Sequence, residues 1–196
     1  MYVLGALLAV PSLLWAQDLD RSPGLREIQP GYYVYLHVDD APGVSSTFNS
    51  GIIITDDGVV VIDALGSEAI ARQVRQALTT VTSRPIRYLI SSPFHRPFTG
   101  GNAVYADVLR IGHENTRTDL ARLLQGVLAE ERRKSLPELT YSGRMTLYLG
   151  GKEIQLLHFG RAHTRGDTIV FMYAIRSCGT KTIVSPRVWA RPKCSS

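Results

Sequence analysis

Cysteine is absent from the first 172 of the 196 residues, because Cys178 and Cys194 both lie near the C-terminus. One pair at one end of a chain cannot provide a framework of disulfides, so the fold depends on its hydrophobic core. Hydrophobic residues make up 44% of the sequence, which is enough at this length for the core of a single domain.

Acidic residues are absent from the last 24 positions, 173–196, which contain five basic residues. Residues 1–172 contain 17 basic and 17 acidic residues, so this tail accounts for the whole net charge of +5. A neutral body without a basic stripe argues against nucleic acid as a partner. The hydrophobic pattern is lost at Tyr173, which leads to the hypothesis that the chain is truncated there or that the tail is of foreign or frame-shifted origin.

Lysine and arginine are absent from the first twenty residues, of which 2–16 are almost wholly apolar. This run is short for a bilayer span, and Leu14-Trp15-Ala16 before a polar stretch resembles a cleavage site. We therefore predict a signal peptide over 1–17, a periplasmic or secreted protein, and no other transmembrane span. The alternatives are a buried or membrane-anchoring N-terminal helix, or a start site placed too late.

Strand and helix patterns alternate along the body, which predicts an α/β layered fold. Asp56-Asp57-Gly58 between β-branched runs is typical of a hairpin, and Ser67 begins an amphipathic helix. Thr116 with Asp119 resembles a capping box that begins another helix, with leucines along one face. The predicted strands and hairpins are 31–38, 49–64, 86–90, 108–112, 145–159 and 168–172.

Two loops that follow predicted strands each contain one histidine. His95 lies in the loop that ends with Thr99-Gly100-Gly101-Asn102, and His163 lies in the loop 161–167. Imidazole is a common metal ligand, but a loop histidine can also serve only to bond nearby backbone. Ser91 and Ser92 have no evident paired base, so a serine hydrolase is a poor interpretation.

The order of these segments resembles the metallo-β-lactamase superfamily over about residues 30–172. The segments that carry the resemblance are NSGIIITDDGVVVIDA, SRPIRYLISS with TGGN, IGHENTR and AHTRGDTIVF. The resemblance implies a four-layer αββα sandwich of that type, incomplete in its C-terminal half. It also implies that Asp63 and Asp167 brace the loops or bond to a site histidine.

The resemblance implies a metal site with an altered set of ligands. Aligned on Thr99-Gly100-Gly101-Asn102, the four ligand positions of the first loop fall at Pro93, His95, Pro97 and Phe98. The later A-H-T segment supplies His163. A catalytic zinc usually has three protein ligands and an open position, so two histidines leave this set short.

Two functions therefore stay open. One is a hydrolase with a single zinc on His95, His163 and a third, unidentified ligand. The other is a non-catalytic protein of the same fold, without metal, that binds a small molecule or a protein partner. No catalytic side chain is assigned, and the fold alone does not select a substrate.

Overall fold

The computed structural model describes residues 22–39 and 46–172, together with the backbone of 182–185 and 188–189. Its first sheet contains seven strands in the order β1 to β7. The first four strands pair antiparallel, and β4 to β7 pair parallel. These strands are β1 (Gly24–Gln29), β2 (Tyr32–Asp39), β3 (Ser46–Thr55), β4 (Gly58–Ile62), β5 (Ile86–Ser91), β6 (Leu109–His113) and β7 (Leu139–Tyr141).

The second sheet contains five antiparallel strands in the order β12-β11-β10-β9-β8. They are β8 (Arg144–Leu149), β9 (Lys152–Leu157), β10 (Ile169–Met172), β11 (Thr182–Ser185) and β12 (Val188–Trp189). The tail 173–196 thus contributes the backbone of two strands, with Val184 opposite Val170. The foreign or frame-shifted origin of the tail stays a prediction, as does the signal peptide over 1–17, which lies outside the described residues.

Among the described residues, four helices accompany the sheets, namely α1 (Glu68–Leu78), α2 (Arg96–Thr99), α3 (Glu114–Leu123) and α4 (Ala129–Ser135), with a 3-10 turn at Asn102–Tyr105. Within the described residues α1, α2 and α3 contact strands of the first sheet, and α1 and α4 contact the 3-10 turn. That part of the chain therefore forms one helical layer and two sheets of the predicted sandwich. No helix among residues 22–39 and 46–172 is long and apolar enough to cross a membrane.

Strand β4 separates two hydrophobic cores, and all five of its residues are buried. Val60 and Ile62 face the second sheet, where they pack with Ile154 and Leu156. The alternate residues of the strand face α1 and form the other core. The strand is covered on both faces, as its continuous apolar run allows, and the predicted hairpin with β3 is confirmed.

The first helix begins as its sequence predicts, whereas the third does not. The Ser67 side chain accepts a hydrogen bond from the Ile70 amide at the start of α1. The predicted start of α3 at a Thr116–Asp119 capping box is wrong, because the helix begins at Glu114 after the cap His113. The helix also ends at Leu123, which is 53% exposed, so the predicted leucine face is shorter than expected.

Tyr141 at the end of β7 gives a prediction for alkaline pH. Burial raises the pKa of its phenol to about 12, and the hydroxyl lies 2.7 Å from the Thr168 hydroxyl. The unfolded tyrosine ionises near 10, so this contribution to stability is intact below pH 10 and is lost between pH 10 and 12. We expect Tyr141→Phe to unfold about 1 kcal/mol more easily at pH 8, because it lacks the hydrogen bond.

The same variant should lose about 2–3 kcal/mol less stability than the wild type between pH 10 and 12. Urea unfolding of both proteins at pH 8, 10 and 12 measures the difference. Parallel pH profiles of the two proteins would contradict the assignment to Tyr141.

Candidate functional site

The two histidine loops meet where the parallel strands of the first sheet end. Parallel strands place their carboxyl ends at one edge of a sheet, which is the usual position of sites in α/β proteins. The His95 loop follows β5, and the His163 loop joins β9 to β10 of the second sheet. The Thr168 amide donates to the Ser92 carbonyl over 2.9 Å, which ties the two loops together.

The imidazoles of His95 and His163 face each other directly. His163 Nε2 lies 3.2 Å from His95 Nδ1, and the ring planes are nearly perpendicular at 87°. His95 also packs edge-on against Phe94, with ring centroids 4.5 Å apart. The His163 residue is exposed, so the pair opens to solvent on one side.

The distance between the two nitrogens suits either a shared proton or a shared metal ion. Tetrahedral zinc with Zn–N bonds of about 2.0–2.1 Å places two ligand nitrogens about 3.3–3.4 Å apart. A hydrogen bond between imidazoles has a similar length. However, no group of three His, Cys, Asp or Glu side chains able to hold a metal occurs in residues 22–39 and 46–172. The described residues thus provide two ligands for a zinc ion, which is one fewer than the three protein ligands of a catalytic zinc.

The other positions that the resemblance aligned with metal ligands are occupied by residues in apolar and backbone contacts. Phe98 packs edge-to-face against Phe48, with ring centroids 5.7 Å apart. The Phe98 carbonyl accepts a hydrogen bond from the Ala64 amide over 2.9 Å. Pro93 is buried beside the loop, and Pro97 lies in the first turn of α2. None of these side chains has a lone pair to offer a metal.

Asp63 holds the start of the His95 loop in place through hydrogen bonds to Ser92. It is fully buried, and its carboxylate accepts the Ser92 amide at 2.7 Å and the Ser92 hydroxyl at 2.6 Å. Its backbone has a φ of 64°, an uncommon conformation for a residue other than glycine. Its own amide bonds the Ile90 carbonyl over 2.8 Å, so the strained residue is fixed on both sides.

Asp167 organises the His163 loop in a similar way. One carboxylate oxygen accepts the His163 amide at 2.8 Å and the Thr164 amide at 3.2 Å. The other oxygen accepts the Thr164 hydroxyl. This ring of bonds sets the backbone of the loop, including the amide of His163.

An apolar cleft of about 240 Å³ lies beside the pair. Its walls come from both loops and from the second sheet. They include Pro93, Phe98, Leu157, Phe159, Ala162 and Ile169 among the apolar residues, with Ser92, His163 and Thr168 among the polar ones. The sequence patterns missed the contributions of Leu157, Phe159 and Ile169, because strand alternation shows that a side chain faces outward but not what it faces.

His113 and His158 form a second histidine pair, away from the first. Their rings lie 3.9 Å apart, and His113 Nε2 donates to the Ser142 carbonyl over 2.9 Å. His113 Nδ1 accepts the Asn115 amide at 3.1 Å. The His113 imidazole therefore bonds nearby backbone on both of its nitrogens. It serves as the cap of α3.

Comparison with solved structures identifies the fold. The chain superimposes on a metallo-beta-lactamase from Pontibacter korlensis with a TM-score of 0.64 and 19% identity, covering 77% of this chain and 67% of that one. It superimposes on TMB-1, a protein described for its substrate and inhibitor binding, with a TM-score of 0.62 and 18% identity, covering 77% and 66%. No family model matches the chain.

The chain thus has the mixed α/β fold of the metallo-β-lactamases, as the sequence predicts. The aligned part spans about two thirds of either relative. At these identities the likeness establishes the fold, which by itself does not determine the chemistry.

Proposed function

We propose that this protein is a small-molecule-binding protein with the metallo-β-lactamase fold, whose metal position is reduced to His95 and His163 and no longer supports hydrolysis. The observation that carries the proposal is the ligand count. Two imidazoles converge at 3.2 Å, and no third metal-ligating side chain joins them among the described residues. A zinc ion on two imidazoles lacks the third protein ligand that catalytic zinc sites use.

The cleft supports the binding role. It is concave and mainly apolar, with a few polar groups in its lining, which is the usual character of a small-molecule site. Its volume of about 240 Å³ lies just below the usual range of ligand pockets, about 300–1,000 Å³. This size favours a compact ligand over a peptide or polymer. The proposed location, periplasmic or secreted, rests on the apolar leader alone.

A second candidate function is a hydrolase with one zinc ion. The specific observation in its favour is the distance of 3.2 Å between the two imidazole nitrogens, which is close to the separation of two nitrogen ligands on one tetrahedral zinc ion. The sequence offers Cys178 and Cys194 in the tail as remaining ligand types. Both cysteines lie outside the described residues.

Zinc titration separates the two functions. Under the proposal, calorimetry shows weak, reversible binding of one zinc ion that a chelator removes without unfolding the protein. His95→Ala and His163→Ala each abolish this binding, because a single imidazole remains. His37→Ala, which removes an imidazole of β2, serves as the matched control and leaves the binding unchanged.

A turnover assay completes the test, with a β-lactam as substrate because the structural relatives are named for that activity. We expect no zinc-dependent hydrolysis. One equivalent of zinc that survives dialysis against a chelator, together with zinc-dependent turnover lost in His95→Ala, would overturn the proposal and establish the hydrolase.

A further inference from the structure

Helix α3 holds the His163 loop by contacts to Arg165 and Gly166. The Thr116 hydroxyl donates to the Gly166 carbonyl over 2.9 Å, and the Asn115 side-chain amide donates to the Arg165 carbonyl over 3.0 Å. The Asp119 carboxylate forms an ion pair with the Arg165 guanidinium. Three side chains of one helix thus hold two consecutive residues of the loop.

The contact between helix and loop leaves no spare room. A Cβ atom added to Gly166 would lie 2.4 Å from the Thr116 hydroxyl oxygen and 2.6 Å from the Thr116 amide nitrogen. Thr116 itself is fully buried. The loop therefore cannot approach the helix more closely, and moving away costs the buried hydrogen bond to Gly166.

The first turn of α3, which bonds the His163 loop, is itself held in place at its start. His113 caps the helix by accepting the Asn115 amide, and its ring stacks on His158. The Nδ1 of His158 in turn lies 2.9 Å from the Asp167 carbonyl oxygen. The helix start and the far end of the loop are thus joined by two routes, one through Thr116 and one through the stacked histidines.

These contacts complement those that the loop makes within itself. Asp167 sets the shape of the loop by accepting the His163 and Thr164 amides, but this ring of bonds could move as one body. The bonds to α3 fix its position relative to the first sheet, which also holds His95. A side chain must be placed within about 0.5 Å for a metal or ligand to meet two groups at once.

We propose that Asn115, Thr116 and Asp119 are positioning residues that set the separation of His163 from His95. Asn115 and Thr116 act through the backbone carbonyls of Arg165 and Gly166, and Asp119 acts through the Arg165 side chain. The inference deepens the proposed function, because it names what holds the two-histidine site together. Its first readout needs no metal, so it can succeed or fail independently of that function.

Matched threonines on α3 provide the test. Thr116→Val removes the hydroxyl that bonds the loop, whereas Thr118→Val removes a hydroxyl that bonds only the Glu114 carbonyl of its own helix. We expect hydrogen exchange of the His163 and Thr164 amides to become roughly tenfold faster in Thr116→Val. Exchange should change less than about twofold in Thr118→Val, and Thr116→Ser should restore the slow rate.

Paramagnetic resonance with copper(II) as the probe gives the second readout. We expect the wild type and Thr118→Val to show two coordinated imidazole nitrogens, and a folded Thr116→Val to show one. If the wild type shows no two-imidazole signal, the metal position fails, and the exchange comparison alone decides the positioning role.

Two results would overturn the inference. One is equal exchange in Thr116→Val and the wild type, and the other is faster exchange spread evenly over the whole chain. If Thr116→Val does not fold, the same comparison is made with the two arginines that form ion pairs with Asp119. Arg165→Ala cuts the tie to the loop, while Arg122→Ala cuts a pair within α3.

Discussion

Replacing Asp63 with alanine should lower the free energy of unfolding by about 3–5 kcal/mol, one of the two largest effects expected of a single substitution. The carboxylate is fully buried and accepts both the amide and the hydroxyl of Ser92, at 2.7 and 2.6 Å. Alanine leaves these two buried donors without that partner. Alanine also tolerates the φ of 64° poorly, which adds to the cost.

Asp63→Asn separates the effect of the lost hydrogen bonds from the effect of the positive φ. Asparagine accepts the left-handed backbone well and keeps one oxygen for the Ser92 amide, so it should cost about half as much as alanine. Asp57→Ala is the matched control, because Asp57 also accepts a backbone amide, that of Gly150, but at an exposed position. We expect it to cost less than about 1 kcal/mol. Urea unfolding measures all three, and equal losses for Asp63→Ala and Asp57→Ala would contradict the account.

Gly100→Ala should prevent folding or cost about 3–5 kcal/mol, because the added methyl meets backbone rather than side chains. The new Cβ would lie 2.1 Å from the Gly66 carbonyl oxygen and 3.0 Å from the Arg96 carbonyl oxygen. Gly100 has an ordinary helical φ of −60°, so the requirement is space rather than backbone freedom. The glycine thus allows the turn after β4 to pack on α2.

Gly143→Ala is the control for Gly100→Ala. No atom lies within 4 Å of a Cβ added at Gly143, and its φ is not in the left-handed region. Its effect should stay within about 0.5 kcal/mol. Thermal melting followed by circular dichroism compares the two variants. Equal melting temperatures for Gly100→Ala and Gly143→Ala would contradict this prediction, because they would show that the turn after β4 can shift to make room for the methyl group.

The sequence predicted those parts of the fold that depend on local pattern. The Asp56-Asp57-Gly58 hairpin, the Ser67 cap and the fully apolar β4 each have a signal within a few residues. The prediction failed at α3, where Thr116 and Asp119 have the spacing of a capping box. Their side chains instead bond Gly166 and Arg165, about fifty positions later, which no local pattern can show.

The candidate site divides in the same way. Its two histidines could be found from the motifs around them, because each loop follows a recognisable strand. Their separation of 3.2 Å could not be predicted, since it depends on how the second sheet sits against the first. The apolar cleft and the grip of α3 on the loop arise from that packing as well, so they became visible only in three dimensions.

X-ray absorption spectroscopy of the zinc-loaded protein tests the central claim most directly, because it counts the ligands of the metal. The account predicts two imidazole nitrogens, from His95 and His163, with water oxygens completing the shell and no sulfur. His163→Ala should retain no zinc under the same loading conditions, because a single imidazole remains. A third protein ligand, whether nitrogen or a cysteine sulfur, would contradict the two-histidine site and restore the case for a hydrolase.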